Sequence, residues 1–162
     1  ADIGKRLGFQ TNIVVGGLAG SFAVLAGAAA VTPALGAVPL LLALVLFLWT
    51  PSHFWCLAIA YHKDYAAAGV PMLPVIVGDA RAARVILVNT ILLVGASLAP
   101  VWYGMGVVYF AGAAAGGAYF LKKNIELVRH PDAATAMRCF HASLAQLSLL
   151  LTAAMIDAAI AA

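Results

Sequence analysis

Charge is what this sequence has least of. Only 9% of its 162 residues are Asp, Glu, Lys or Arg, while 65% are hydrophobic. Soluble domains are about one quarter charged, so so few charges cannot cover a water-facing surface, which excludes an ordinary soluble globule. Cysteine is nearly absent as well. Cys56 and Cys139 are the two present, and both stand inside apolar runs. That excludes a disulfide framework or a thiolate metal site by spacing, and both read as small buried apolar residues. There is no soluble domain, low-complexity tail or clear internal repeat. The start, Ala1-Asp2-Ile3-Gly4, has neither Met nor signal peptide, as expected of a segment of a longer protein.

Long apolar runs are present instead. A bilayer core needs about 20 apolar residues per crossing. The sequence predicts spanning helices at Ile13–Val31, Gly36–Ala60, Val85–Val101, Gly106–Leu121 and Cys139–Ile160. Helices satisfy their own backbone in lipid, so the fold class is all-α, a polytopic membrane helical bundle of five helices. Polar connectors fill Tyr61–Arg84 and Lys122–Arg138. The net charge of +3 comes from nine Lys and Arg, and every one falls on one side. Lys5 and Arg6 precede the first helix. Lys63, Arg81 and Arg84 follow the second. Lys122, Lys123, Arg129 and Arg138 surround the last connector. The connectors Thr32–Leu35 and Trp102–Met105 carry no charge. By the positive-inside rule, 61–84 and 122–138 are expected to be cytoplasmic, with the C-terminus outside. Basic residues placed this way serve topology, not nucleic acid. Gly16 with Gly20 and Gly112 with Gly116 predict close helix approach.

Polar groups inside spanning helices carry the functional expectations. Asn12, His53, Asn89, Arg138 and His141 cluster at the inner end. Gln146 lies deeper, and Asp157 is expected to be exposed near the C-terminus. A polar rim over an apolar interior suits an amphiphilic substrate, head in the connectors and tail between helices. His53 alone could equally be a buried ring bonded to a backbone carbonyl, because Pro51 frees that of Phe47. His130, before Pro131, reads as solvated. Tyr61-His62-Lys63-Asp64 places a carboxylate beside cations. That suits Mg²⁺ with a diphosphate, although a solvated loop has the same composition.

Two runs carry more specific information. Trp49-Thr50-Pro51-Ser52-His53-Phe54-Trp55 is followed by Asp64-Tyr65-Ala66-Ala67-Ala68-Gly69-Val70-Pro71-Met72-Leu73-Pro74. Together they closely resemble the protohaem IX farnesyltransferase (haem O synthase) family of UbiA-type prenyltransferases. Lys5-Arg6 with Asn12-Ile13-Val14-Val15-Gly16-Gly17, and Arg138-Cys139-Phe140-His141-Ala142-Ser143, extend the resemblance over essentially the whole chain. It covers only the back half of a family member, and implies helices five to nine of a nine-helix bundle. It also implies transfer of farnesyl from farnesyl diphosphate to a vinyl group of protohaem IX. Asp64 matches the final acidic residue of the second diphosphate motif and would be the metal ligand for Mg²⁺. Lys63, His62 and Arg84 would bind diphosphate, with Asp64, Lys63 and His53 as the catalytic set. His53, Trp49 and Trp55 would meet haem, and Asn12, Asn89 and Arg138 would form the substrate rim. Haem A synthase is the partner that family logic suggests, and a bacterial inner membrane is the expected compartment, with the mitochondrial inner membrane as the alternative. Ser52 stands where many members have Pro, and Asp64 is a single carboxylate where many have an acidic pair, which leaves Asp79 as a possible assistant. The competing readings are a UbiA-type enzyme with another aromatic acceptor, and a non-enzymatic transporter or scaffold bundle.

Overall fold

A computed structural model describes residues 3–32 and 34–161, with the backbone alone for 3–12, 14 and 15. Asn12, Lys5 and Arg6 therefore have side chains outside the described residues. The chain forms α1 (Ile3–Val31), α2 (Ala37–Ala60), two short helices α3 (His62–Ala67) and α4 (Leu73–Val77), then α5 (Asp79–Leu98). A 3-10 turn, Ala99–Tyr103, leads to α6 (Val107–Arg129) and α7 (Ala133–Ala161). No strand occurs among the described residues.

Among the described residues, three helical stretches are long and apolar enough to cross a membrane: Ala37–Ala60, Asp79–Tyr103 and Ala133–Ala161. Gly16–Val31 is a shorter apolar stretch. The sequence placed its helix ends by charge, and the structure moves several of them. α5 begins at Asp79, because Gly78 has φ of 83° and closes α4 while opening α5. α6 continues through Lys122, Lys123 and Glu126 to Arg129, with nothing to break it before Pro131. The polar connectors are therefore mostly helical turns that project beyond the apolar spans.

The interior mixes small residues, with Ala58, Ala82, Ala83, Ala113, Ala136 and Ala142 fully buried, and large ones, among them Tyr109, Phe120, Ile86 and Leu93. Other large apolar side chains face outward, among them Phe22, Val88, Ile91, Leu92 and Met155. Small residues let backbones approach, and lipid solvates the rest. The α6–α7 contact is the tightest: a Cβ on Gly116 would lie 3.1 Å from Gln146 Cα. On α1 it is Gly17 and Gly20 that meet Thr50 and Leu46 of α2, while Gly16 faces open space. Cys56 and Cys139 are buried free thiols with sulfurs 3.1 Å apart, joining α2 to α7.

α2 is the central element, in contact with α1, α5 and α7. Its C-terminal end, α3, the start of α5 and the start of α7 meet at one end of the bundle, where Tyr61, Asp79 and Ala133 line one pocket. At the other end, Asp157 is only 8% exposed. Its carboxylate accepts the N–H of Gly106 at 2.5 Å and that of Tyr109 at 3.3 Å. Asp157 is thus not an exposed terminal residue, as its position in the sequence suggested. It caps α6 from a neighbouring helix, satisfying N–H groups that a helix start leaves open.

Candidate functional site

α2 presents two different faces, and candidate residues divide between them. The first face meets α7. Trp49 and His53 are one turn apart and their rings stack, with centroids 4.2 Å apart and an interplanar angle of 17°. Phe140 of α7 stacks on His53 at 4.3 Å and 28°. Ser143, one turn further along α7, is held twice by α2. Trp49 Nε1 donates to its carbonyl at 2.9 Å, and its hydroxyl lies 2.7 Å from His53 Nδ1. The partner of His53 is therefore a side chain of another helix, not the Phe47 carbonyl that Pro51 releases. Phe140 and Ser143 are functional candidates that the motif Arg138-Cys139-Phe140-His141-Ala142-Ser143 contained without singling them out. Their spacing of three on one helix face was the available signal.

The second face meets α5. Ser52, adjacent to His53 and so turned about 100° from it, shares a hydrogen bond of 3.1 Å with Thr90. Asn89 donates to Ser52 Oγ at 2.8 Å and to the Leu48 carbonyl at 2.6 Å. These bonds brace α2 beside Pro51, where the helix lacks one of its own. Outside them runs a groove of about 400 Å³ lined by Trp55, Arg84, Val85, Val88, Asn89 and Leu92. Trp55 therefore belongs with Arg84 and Asn89, while Trp49 belongs with His53. The groove is apolar along its walls, with the exposed guanidinium of Arg84 on its α5 side.

The third cluster stands where α2 ends. Ile59, Ala60, Tyr61, His62, Lys63, Asp64, Asp79 and Ala133 line a pocket of about 410 Å³. Within it His62 Nδ1 lies 2.6 Å from Asp79 Oδ1, which ties α3 to the start of α5. The side chains of Lys63 and Asp64 have no hydrogen-bond or ion-pair partner among the described residues, and both residues are exposed. Asp79, a minor candidate in the sequence, is thus brought into the same pocket as Asp64. No group of three or more His, Cys, Asp or Glu close enough to hold a metal ion occurs among the described residues. That is compatible with Mg²⁺, which is usually held by one or two carboxylates with substrate phosphates completing its shell. Arg138 is exposed at the start of α7 and has no bond there among the described residues. His141 and His130 are exposed too.

The connector before α7 is a structural feature of this end. Asp132 Oδ1 accepts the Thr135 N–H at 2.8 Å, and the Thr135 hydroxyl bonds back to the His130 carbonyl. The Thr135 amide, then its hydroxyl, hold the Asp132 carboxyl below the usual carboxylate range. On α6, Lys123 bonds Glu126 at 2.8 Å and lowers its carboxyl in the same way.

Comparison with known proteins gives a consistent result. Residues 4–150 match the model of the UbiA prenyltransferase family. Protoheme IX farnesyltransferase 2 of Paramagnetospirillum magneticum is 58% identical over 146 residues, covering 90% of this chain and 51% of that protein. Protoheme IX farnesyltransferase 1 of Cenarchaeum symbiosum is 43% identical over 150 residues, covering 93% and 51%. Protoheme IX farnesyltransferase of Frankia casuarinae is 44% identical over 161 residues, covering 96% and 55%. The chain spans about half the length of these curated relatives. No solved structure matches it.

Proposed function

The chain belongs to the UbiA prenyltransferase family, and from that premise we propose that it is the C-terminal half of a protohaem IX farnesyltransferase. In this reading its helices are the last five of a nine-helix bundle in a bacterial inner membrane. Residues 61–84 and 122–138 face the cytoplasm and the C-terminus faces outward. The observation that supports it most directly is the pocket lined together by His62, Lys63, Asp64 and Asp79. It opens at the end of the same helix that carries His53. His53 is seven residues from Ala60, roughly 10 Å along the axis at a rise of 1.5 Å per residue. A diphosphate at the pocket and an acceptor beside His53 would therefore be separated along a helix whose flanks are apolar.

Asp64, with Asp79 beside it, would hold Mg²⁺ through carboxylate oxygens. Bound there, the ion would supply charge neutralisation for the diphosphate. Lys63, His62 and Arg84 offer N–H donors to phosphate oxygens. Their value lies in stabilising the leaving group more as its charge develops than in the bound substrate. The C1–O bond of the allylic diphosphate breaks with its electron pair on oxygen. The π electrons of a haem vinyl group form the new C–C bond. Water then takes the resulting cation and loses a proton, leaving a hydroxyl. Dry helix faces around the tail limit premature capture by water. His53 and Trp49 would orient the porphyrin on one face of α2. Trp55 and Asn89 would line the groove on the other, with Arg138, and Asn12 from α1, at the rim. Haem A synthase is the partner this reading implies.

The test is haem O formation by the full-length protein supplied with farnesyl diphosphate, Mg²⁺ and haem. Asp64→Asn should reduce it about 10²-fold or more, the scale of removing one preorganised electrostatic group. The 162-residue chain should be inactive alone and gain activity when co-expressed with the front half. Full activity from the isolated chain, or from Asp64→Asn, would refute the proposal.

A further inference from the structure

His53 has two ring nitrogens, and its neighbours determine which one carries the proton. Nδ1 lies 2.7 Å from Ser143 Oγ. The same oxygen lies 2.6 Å from the Phe140 carbonyl. A serine hydroxyl has one proton, and a carbonyl can only accept. That proton therefore belongs to the Ser143–Phe140 bond, and Oγ meets His53 with a lone pair. An unprotonated Nδ1 at this distance would press two lone pairs together. Nδ1 carries the hydrogen and donates it to Ser143. No carboxylate bonds the ring among the described residues, so a second proton would leave an unpaired charge inside the bundle. Nε2 is then the nitrogen with the free lone pair, and no described group bonds it.

The ring is also fixed in place. Trp49 and Phe140 stack on it from α2 and α7, with centroids 4.2 Å and 4.3 Å away. Trp49 holds the Ser143 carbonyl as well, so one indole steadies both the imidazole and its partner. This is the arrangement that metal-bound histidines usually have, one nitrogen donating to a fixed acceptor and the other presenting a lone pair.

We propose that Ser143 is a positioning residue that holds His53 as the Nδ1–H tautomer, so that Nε2 ligates the iron of the porphyrin substrate instead of donating to its propionates. The inference rests on the porphyrin-acceptor reading above. It chooses between the two contacts an imidazole can offer to haem. A propionate needs an N–H or a cation, and a lone pair repels it, whereas iron takes the lone pair of a neutral imidazole.

The test compares two porphyrins that share propionates and differ in iron. Full-length protein in nanodiscs is titrated with ferric haem and with metal-free protoporphyrin IX, following the Soret band. His53→Gly should shift the haem Soret band and weaken haem binding about tenfold or more, with protoporphyrin binding unchanged. Added imidazole should restore the band. Ser143→Ala should weaken haem selectively in the same direction, and Ser143→Thr, which keeps the hydroxyl, should recover it. Retained farnesyl diphosphate binding reports that each variant is folded, and Ser143→Ala carries the selectivity test if glycine disrupts α2. Equal loss of both porphyrins in both variants would assign His53 to the propionates and overturn the inference, as would no loss in either variant. A wild-type protein that forms haem O with an unchanged Soret band in His53→Gly would overturn it while leaving the acceptor reading intact. Wild-type protein that binds neither porphyrin would overturn that reading and this inference together.

Discussion

The two ends of the bundle use the same side-chain chemistry for opposite purposes. At the Gly106 end, Asp157 directs both carboxylate oxygens to backbone N–H groups at the start of α6 and is almost fully buried. At the other end, Asp64 is exposed with no described partner, in a pocket shared with Lys63, His62 and Asp79. A carboxylate with its oxygens committed to the backbone holds helices together. One left uncommitted beside cations is available to a ligand. Sequence position does not separate the two. Asp157 lies near the C-terminus and Asp64 lies in a polar connector, so both read as solvent-facing. Their hydrogen bonds distinguish them.

Substitutions at the two ends should therefore fail in different ways. The largest effect belongs to the uncommitted end, where Asp64→Asn should remove most transfer activity while the thermal midpoint in detergent stays close to wild type. A large drop in that midpoint would show that Asp64 is structural after all, and would erase the contrast. Next comes Asp157→Ala, which leaves the N–H groups of Gly106 and buried Tyr109 without this acceptor and should destabilise the protein by about 1–3 kcal/mol. Asp157→Asn, which keeps one acceptor oxygen, should lose less. Either variant should turn over normally in the fraction that remains folded, and a selective loss of turnover would place that end in the chemistry. Comparable in scale is Gly116→Val, which forces a side chain against the Gln146 backbone and should cost about 1–3 kcal/mol by overpacking. It would be read as a lowered midpoint, with little change expected for the same substitution at Gly16, which faces open space.

The smallest effect is acid sensitivity at the start of α7. Hydrogen bonds from Thr135 depress the Asp132 pKa below its unfolded value. The stabilisation is therefore present above the ordinary carboxylate pKa and is lost as pH falls through the folded value. Hydrogen exchange at the first amides of α7 should quicken on acidification in the wild type. In Asp132→Asn that pH dependence should disappear. An unchanged acid response in Asp132→Asn would show that the cap does not depend on this charge.

Much of the architecture was legible because lipid imposes simple rules. Apolar length marked α2, α5 and α7 as helices long enough to span, and Thr32 with Gly36 marked the break between α1 and α2. The helix ends were less legible. Charge signals the edge of an apolar span, but the end of a helix is set by Gly and Pro. Lys122 to Arg129 continue α6 until His130-Pro131, and Asp79 to Arg84 already belong to α5 because Gly78 precedes them. The small-residue pattern named Gly16, yet Gly17 is the residue against α2, since two adjacent glycines leave the facing one undetermined.

The site was legible where one segment carried it. His62, Lys63 and Asp64 are consecutive, and the structure keeps them in one pocket. The motif around His53 and Trp49 was visible for the same reason. Ser143 and Phe140 could not be tied to His53 by sequence alone, because the link joins helices ninety residues apart. The division of Trp49 and Trp55 between two faces of α2 likewise follows from which helix packs on each side. Asp79 is paired with His62 over seventeen positions, a relation that only the turn at Gly78 makes possible.

The account depends most on Asp64 and His53 serving different ligands at different depths of one bundle. Binding of farnesyl diphosphate with Mg²⁺, and of haem, should be measured separately on full-length wild type, Asp64→Asn and His53→Ala. The account predicts that Asp64→Asn loses Mg²⁺-dependent diphosphate binding and keeps haem, while His53→Ala weakens haem and keeps the diphosphate. Wild-type diphosphate affinity in Asp64→Asn, together with wild-type haem affinity in His53→Ala, would contradict it.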